Sequence, residues 1–460
     1  MIHEGIFWTE VDDTKKIPGE LDLSKRWPKV VVRGEIFPLF SSVLNPGVIY
    51  GEVEKLGTVT LLDSTVTHEV FSTSGNMQTI APRYVLSGRG VLAESGDSYA
   101  AVRVELTGLE SWVEIPEFSI ALTGQYVSVE GRVPNPESVE IGEGFGNISL
   151  FATHGTADSS PISVRAWRAV SLCVSDASPS SLDEVVDSYV EPLRTIVSIC
   201  VDARVNVRAV YVQPSDMPGR WMRVFGPRVW DEIGSETSLA EPLFKFKDIG
   251  LAGLAGWIKL NPTISPLGEL VVDAKFSSAA TPSSGVLFQL ASAIEGLHRR
   301  LYDDRARIDR GLAKTIRRSA RKIFARFGPE VVNVLNDSLA FLSQVTYHQR
   351  LERIISEMHE INADIFGRRV DLWIKSVKVS RNRVAHQLHE GEDLSDSEKR
   401  VLAASLYWVL ISLMIRESGI NPQKIAEAFR ENLVFQIFMR QAQTRMPEIY
   451  ASESEDAESV

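Results

Sequence analysis

Apolar and charged residues alternate one for one along Val102-Arg103-Val104-Glu105-Leu106. A period of two puts one set on each face of an extended chain, so the segment predicts a half-buried antiparallel strand. Short runs rich in β-branched residues lie on either side of it: Lys29-Val30-Val31-Val32, Gly57-Thr58-Val59-Thr60-Leu61-Leu62 and Tyr126-Val127-Ser128-Val129. Turn formers fall between them at Asn45-Pro46-Gly47, Ser95-Gly96-Asp97 and Asn135-Pro136. Many short strands of this kind predict a β-rich N-terminal domain over residues 1–170, sandwich- or barrel-like.

Near Ser181 the period changes. Ser181 and Glu184 have capping-box spacing, and Leu182, Val185, Val186, Tyr189, Leu193, Ile196 and Val197 then share one helical face. Pro192 is expected to kink or interrupt that helix, because it has no N–H to donate to the preceding turn. Strand-like segments follow at Val205 to Val212 and Glu269 to Val272. Residues 171–276 therefore read as a mixed α/β segment, either a separate small domain or a continuation of the first.

Phe276 to Gly285 is rich in Ser, Ala, Pro and Gly, and the sequence places the linker there, at 277–285. Residues 286–450 then read as an all-α domain with three apolar stripes. The first is Leu287, Leu290, Ala291, Ile294, Leu297 and Leu301; the second is Val331, Val334, Leu335, Leu339 and Leu342. The third is Leu351, Ile354, Ile355, Met358, Ile361 and Ile365. Leu394-Ser395 opens a very apolar helix through Ile415, with Gly419 near its C-cap. The acidic, polar end at 451–460 reads as a disordered tail.

Composition narrows the class. A chain of 460 residues with 44% hydrophobic and 24% charged residues is ordinary globular material, enough for two or three domains. Only Cys173 and Cys200 are available, which argues against a disulfide framework or a cysteine zinc site and fits a reducing cytoplasm. Met1 to Glu10 lacks the basic and apolar regions of a secretory signal. Val401 to Ile415 is the longest uncharged apolar stretch, and it is shorter than the roughly 20 residues a bilayer requires, so it reads as a buried helix and no membrane partner is expected.

Charge is distributed unevenly. The net charge is −11, yet residues 1–284 hold 23 Lys and Arg against 36 Asp and Glu, while residues 285–450 hold 26 against 20. The run Arg299 to Arg326 carries eleven basic and three acidic residues. That split suggests a basic module joined to an acidic one, with Arg317, Arg318, Arg321 and Lys322 as candidate RNA-backbone contacts; a solvated helix face explains the run equally well.

Candidate chemistry sits at Arg381-Asn382-Arg383-Val384-Ala385-His386. An arginine five residues before a histidine can place both on one side of a short turn or helix start. That pair suits attack on RNA. The 2′-hydroxyl needs a base, the departing 5′-oxygen needs a proton, and the crowded phosphorane needs a fixed cation. Histidine titrates near neutrality and can perform either proton step, and arginine stays charged and can bridge two phosphate oxygens. A bare arginine–histidine spacing is common. Here Asn382 follows the arginine, the context is helical, and Glu295-Gly296-Leu297-His298-Arg299 lies upstream on the first helix of the bundle.

With these residues in place, residues 285–433 resemble the HEPN domain of ApeA-like antiphage abortive-infection proteins. The family pattern of arginine, polar residue and histidine falls on Arg381, Asn382 and His386, and its acidic–basic pair on the early helix falls on Glu295 and Arg299. The β-rich first part is similar to the ApeA N-terminal region in layout only. The resemblance implies a metal-independent endoribonuclease without a cofactor, acting as a homodimer or higher homo-oligomer with two motifs facing across one composite site. It also implies cleavage of host RNA, with tRNA as the class, to 2′,3′-cyclic phosphate and 5′-hydroxyl ends. The N-terminal region would then sense a phage-derived trigger. In that scheme Arg381 binds the scissile phosphate and His386 is acid or base. Asn382 orients either group, and Glu295 and Arg299 support the site.

Other readings stay open at this level. The domain could be a catalytically silent HEPN dimerisation or RNA-binding module, or the β part could bind a ligand with the helices as a structural tail. His386 and His389 have H-x2-H spacing without an evident third ligand beyond the acids of Glu390 to Asp393, so no metal is expected. Gly142-Glu143-Gly144-Phe145-Gly146 reads as a turn rather than a nucleotide loop, and Trp8, Trp27, Trp112 and Trp167 as core or edge aromatics rather than a pocket.

Overall fold

The computed structural model describes residues 2–9, 12–37, 47–72, 75–88, 98–114, 119–123, 126–130, 137–160, 163–230, 241–276, 281–302, 308–386 and 394–451. The turn signals at Asn45-Pro46, Ser95 to Asp97 and Asn135-Pro136, part of the linker, the Glu390 to Asp393 acids and the tail beyond Ala451 lie outside the described residues. The chain divides into two compact units, Met1–Pro262 and Thr263–Val460.

In the first unit, six strands close a barrel: β1 Ile2–Thr9, β2 Asp12–Asp22, β3 Lys29–Val32, β4 Gly47–Val53, β5 Gly57–Ser72 and β6 Gly75–Ala81. Their order is β5-β4-β1-β2-β3-β6, with β6 returning to β5. Closure depends on the length of β5. Its first half pairs with β4, and its second half, from Thr65 to Ser72, pairs with β6. Between the halves Asp63 has a positive φ of 48°, and the pairing with β6 is irregular between Val66 and His68. That bend lets one strand serve two ladders, and closure leaves the barrel without a free edge. Phe7, Leu21, Val30, Val32, Ile49, Val59, Leu61 and Ile80 fill the interior. At Gly51 a β-carbon would lie 2.8 Å from the Phe7 ring, so a glycine is needed for that ring to fit.

The first half of β5 also pairs with β7 Tyr84–Gly88, which continues the sheet out of the barrel. Beyond it come β8 Tyr99–Leu106, the separate hairpin β9 Ser119–Thr123 and β10 Tyr126–Glu130, then β11 Ser138–Gly142, β12 Gly146–Ser160, β13 Ser163–Ser175, β14 Val207–Pro214 and β15 Met222–Phe225. The sheet order is β7-β15-β14-β8-β13-β12-β11. The expected alternation holds in β8: Val102, Val104 and Leu106 are buried, Arg103 and Glu105 are not, and both neighbours are antiparallel. Because β14 and β15 complete the same sheet, the stretch after residue 171 continues the first unit up to Pro262.

The capping box at Ser181 and Glu184 forms, and all seven apolar residues of that face are buried. The helix containing Pro192 is interrupted and not ended. A π turn at Val186–Val190 interrupts the α-helical ladder immediately before Glu191–Cys200, and Pro192, which has no N–H to give, sits just after it. Trp8 and Trp112 are buried, the latter donating from Nε1 to the Phe244 carbonyl at 2.7 Å, and Trp27 is exposed. The side chain of Trp167 lies outside the description. Gly142 to Gly146 form the turn between β11 and β12.

The second unit is helical. The segment expected to be a strand at Glu269 to Val272 belongs to the helix Leu267–Lys275. Leu267, Val271, Val272 and Ala274 are buried there, against the helices Ser283–Leu301 and Asp396–Glu417. This packing outweighs the β-preference of the paired valines. The Asp396–Glu417 helix starts at a Ser395–Glu398 capping box, is buried from Leu406 to Ile415, and ends before Gly419, whose φ is +94°. Trp408 meets Phe429 and Phe435 edge-on at 5.1 Å, and Trp373 Nε1 donates to Ser405 Oγ at 2.9 Å. Among the described residues no helix is long and apolar enough to cross a membrane.

One expected core stripe is not in the core. The helices Arg310–Phe324 and Pro329–Ala340 pack on each other as a hairpin, and across both only Ala313 is fully buried. Val331 and Val334 are exposed, as are Leu312, Ile316, Ile323, Phe327 and Phe341. Periodicity formed the helix but could not supply a neighbour to cover its apolar face.

Candidate active site

Three helices of the second unit meet at the site: Ser283–Leu301, Tyr347–Met358 and Val370–His386. The first contributes Glu295 and Arg299, the third Arg381 and Asn382. Arg381 Nη2 donates to Glu295 Oε2 at 2.7 Å, and Arg299 Nη2 donates to the other oxygen, Oε1, at 2.8 Å. One carboxylate therefore holds two guanidinium groups. Arg381 Nη1 donates to Asn382 Oδ1 at 3.3 Å. Among the described residues these bonds leave one N–H on each terminal nitrogen of Arg381 uncommitted, and a phosphate can engage those. The Nε of Arg381 is buried and has no hydrogen-bond partner among the described residues.

The two arms of Glu295 differ in solvation. The Arg381 side chain is 28% exposed and the Glu295 side chain 18%, whereas Arg299 is 52% exposed. The Arg381 arm links two helices in a partly desolvated setting, and the Arg299 arm is an i,i+4 pair on one helix that water screens.

Beneath Arg381 lies Tyr347, a residue that sequence patterning did not single out. Its ring centroid is 5.0 Å from the guanidinium carbon, within cation–π range. Its hydroxyl donates to the Ala291 carbonyl at 3.0 Å, tying the Tyr347–Met358 helix to Ser283–Leu301. Burial pushes the Tyr347 phenol well above its ordinary range, with Arg381 opposing and Glu295 reinforcing the shift. The one local signal for this residue is Thr346-x-x-Gln349, a capping box that starts the helix at Tyr347. A second buried pair lies on the same helices: Arg350 Nη1 is 3.0 Å from His298 Nδ1. Arginine can only donate, so Nδ1 accepts and the ring is neutral with its proton on Nε2. His298 is buried.

Arg381 to His386 lie on the continuous helix Val370–His386 rather than on a short turn or helix start. Five positions on a helix are about 140° apart around the axis, whereas four are nearly one full turn. Position 382, not 381, therefore shares a helical face with position 386. The His386 side chain and His389 lie outside the described residues. Arg317, Arg318, Arg321 and Lys322 sit on the hairpin, where Arg321 Nε donates to Asn336 Oδ1 at 2.5 Å; no described contact brings any of the four to Arg381.

The comparisons bear on both units. The family described as ApeA N-terminal domain 1 matches residues 2–254, and the Apea-like HEPN family matches residues 288–424. The chain belongs to the ApeA family. The ApeA N-terminal match covers the barrel and the extended sheet, and the Apea-like HEPN match contains Glu295, Arg299, Tyr347, Arg381, Asn382 and His386. Neither a curated protein nor a solved structure matches the chain. ApeA-like HEPN proteins are associated with antiphage abortive infection, and HEPN domains are generally RNases that commonly dimerise.

Proposed function

We propose that this chain is a metal-independent endoribonuclease that cleaves host RNA, with tRNA as the substrate class, during abortive infection. The observation that carries this reading is the Arg381–Glu295–Arg299 cluster, which fixes a permanent cation in a partly buried setting next to Asn382 and on the helix that carries His386.

The ribose 2′-oxygen attacks the adjacent phosphorus and the bond to the 5′-oxygen breaks, leaving 2′,3′-cyclic phosphate and 5′-hydroxyl ends. Arg381 holds the non-bridging phosphate oxygens as charge builds on them. His386 removes the 2′-proton or protonates the departing 5′-oxygen. Two such sites face each other in a homodimer or higher homo-oligomer, Asn382 orients the phosphate or the histidine, and Glu295 with Arg299 positions Arg381. The exposed basic side chains Arg318, Arg321 and Lys322 contact the RNA backbone, together with Arg317. The barrel-containing unit senses a phage-derived trigger.

The test is cleavage of total tRNA by the purified full-length protein with EDTA present, followed by mapping of 2′,3′-cyclic phosphate ends. Wild type should cut and His386→Ala should not. A His386→Ala protein that cuts as fast as wild type, or a wild type that cuts only when a divalent metal is added, overturns the reading.

A further inference from the structure

Within the second unit, the helices Leu267–Lys275, Ser283–Leu301 and Asp396–Glu417 line an open cavity of about 340 Å³. Its floor is apolar: Val286, Leu290, Ala403 and Ala404, with the rings of Tyr407 and Trp408. Two cations come to it from different helices, Lys275 and Arg400. The Lys275 ammonium lies 4.7 Å from the Tyr407 ring centroid and 5.4 Å from that of Trp408, which holds it over the aromatic floor.

We infer that this cavity is a binding site for a small organic anion with a flat apolar body. The volume falls in the range that small-ligand sites occupy, and an apolar lining with a few convergent polar groups is their usual make-up. The charges set the sign of the ligand: its carboxylate, sulfonate or phosphate group meets Lys275 and Arg400, while its body lies against Tyr407, Trp408 and Leu290. The inference does not depend on RNA cleavage. It matters to that reading because Leu290 and Glu295 lie on one helix, about 7.5 Å apart along its axis, so a ligand that displaces Leu290 also displaces the residue anchoring Arg381.

The probe is 8-anilino-1-naphthalenesulfonate, titrated into the full-length protein by fluorescence and calorimetry. Its uncharged analogue N-phenyl-1-naphthylamine serves as the control for charge. One sulfonate probe should bind per chain, at least tenfold more tightly than the uncharged analogue. Lys275→Glu should weaken that binding tenfold or more, and Ala404→Trp, which fills the cavity, should abolish it. If Ala404→Trp lowers the melting temperature, Lys275→Gln at the rim carries the test, with circular dichroism confirming its fold. Equal affinity for the two probes, or wild-type binding by the Lys275 variants, overturns the inference. So does binding that survives Ala404→Trp but is lost on Val334→Ser and Phe341→Ser, because that would place the probe on the exposed hairpin.

Discussion

Glu295 and Arg381 lie 86 positions apart in the chain, and their side chains meet at 2.7 Å. No local rule brings them together; two helices must pack in one register for the pair to form. Arg299, four positions after Glu295, shares the same carboxylate from the solvent side. The unequal burial of these two arms makes the cluster testable apart from any activity.

Glu295→Gln should cost about 1–2 kcal/mol, because it removes the charged acceptor of a partly buried inter-helix bond. Arg299→Ala should cost less than about 0.5 kcal/mol, as expected for an exposed i,i+4 pair. Urea denaturation of the second-unit transition measures both. Equal costs would mean that the two arms are equally solvated in solution.

Arg381→Lys keeps the positive charge and loses the planar fork. On the proposed mechanism, RNA cleavage should fall by about 100-fold or more, the scale seen when one transition-state donor is removed. Single-turnover rates on tRNA give the number. A lysine variant with near-wild-type rates would show that Arg381 acts only as a diffuse charge.

Tyr347→Phe and Tyr347→Leu separate the two roles of that side chain. Phenylalanine keeps the ring beneath Arg381 and loses only the bond to the Ala291 carbonyl, so stability should drop by about 1 kcal/mol with cleavage largely retained. Leucine also removes the aromatic face, and cleavage should fall further than stability does. If the two variants cleave alike, the ring does not position Arg381.

Alkaline pH should destabilise the protein through the half-buried Tyr302. Burial pushes the Tyr302 phenol up to about 12, with Arg416 opposing the shift. Between pH 10, where an unfolded tyrosine ionises, and about 12, the folded chain retains a proton that the unfolded chain has released. Stability from this group is therefore complete below pH 10 and is lost as pH rises through that window. Denaturation midpoints of wild type and Tyr302→Phe across it make the measurement, and the variant should show the shallower decline. Parallel slopes would remove Tyr302 as a contributor.

The hairpin should tolerate what the core does not. Val334 is 67% exposed, so Val334→Ser should change stability by less than about 0.5 kcal/mol. Leu410 is fully buried, and Leu410→Ala should cost about 3 kcal/mol. Thermal melts at two protein concentrations serve as the check. A large, concentration-dependent loss at Val334 would show that a second chain covers this face.

Much of the architecture was readable before any coordinates. The Ser181–Glu184 box started a helix where its spacing placed it, because capping bonds join groups three residues apart, and the apolar helix expected to open at Leu394-Ser395 begins after Ser395. The β8 alternation and the buried stripe from Leu287 to Leu297 likewise follow from local period. Local reasoning failed where a neighbour decided the outcome. Val271 and Val272 favour a strand in isolation and are helical because two helices cover them. Val331 and Val334 have core periodicity and lie in solvent because no described element packs over them.

The site divides along the same line. The sequence by itself determined that a charged arginine, an amide and a histidine lie close together on the chain, with an acid and a base one helical turn apart upstream, since covalent order and helical period decide such things. Only the tertiary structure decided that Glu295 grips Arg381 and that Tyr347 lies beneath it. It also decided that the motif lies on a helix, so that position 382 and not 381 shares a face with position 386. Contacts between distant segments depend on how whole helices pack, and no local pattern in the chain specifies that packing.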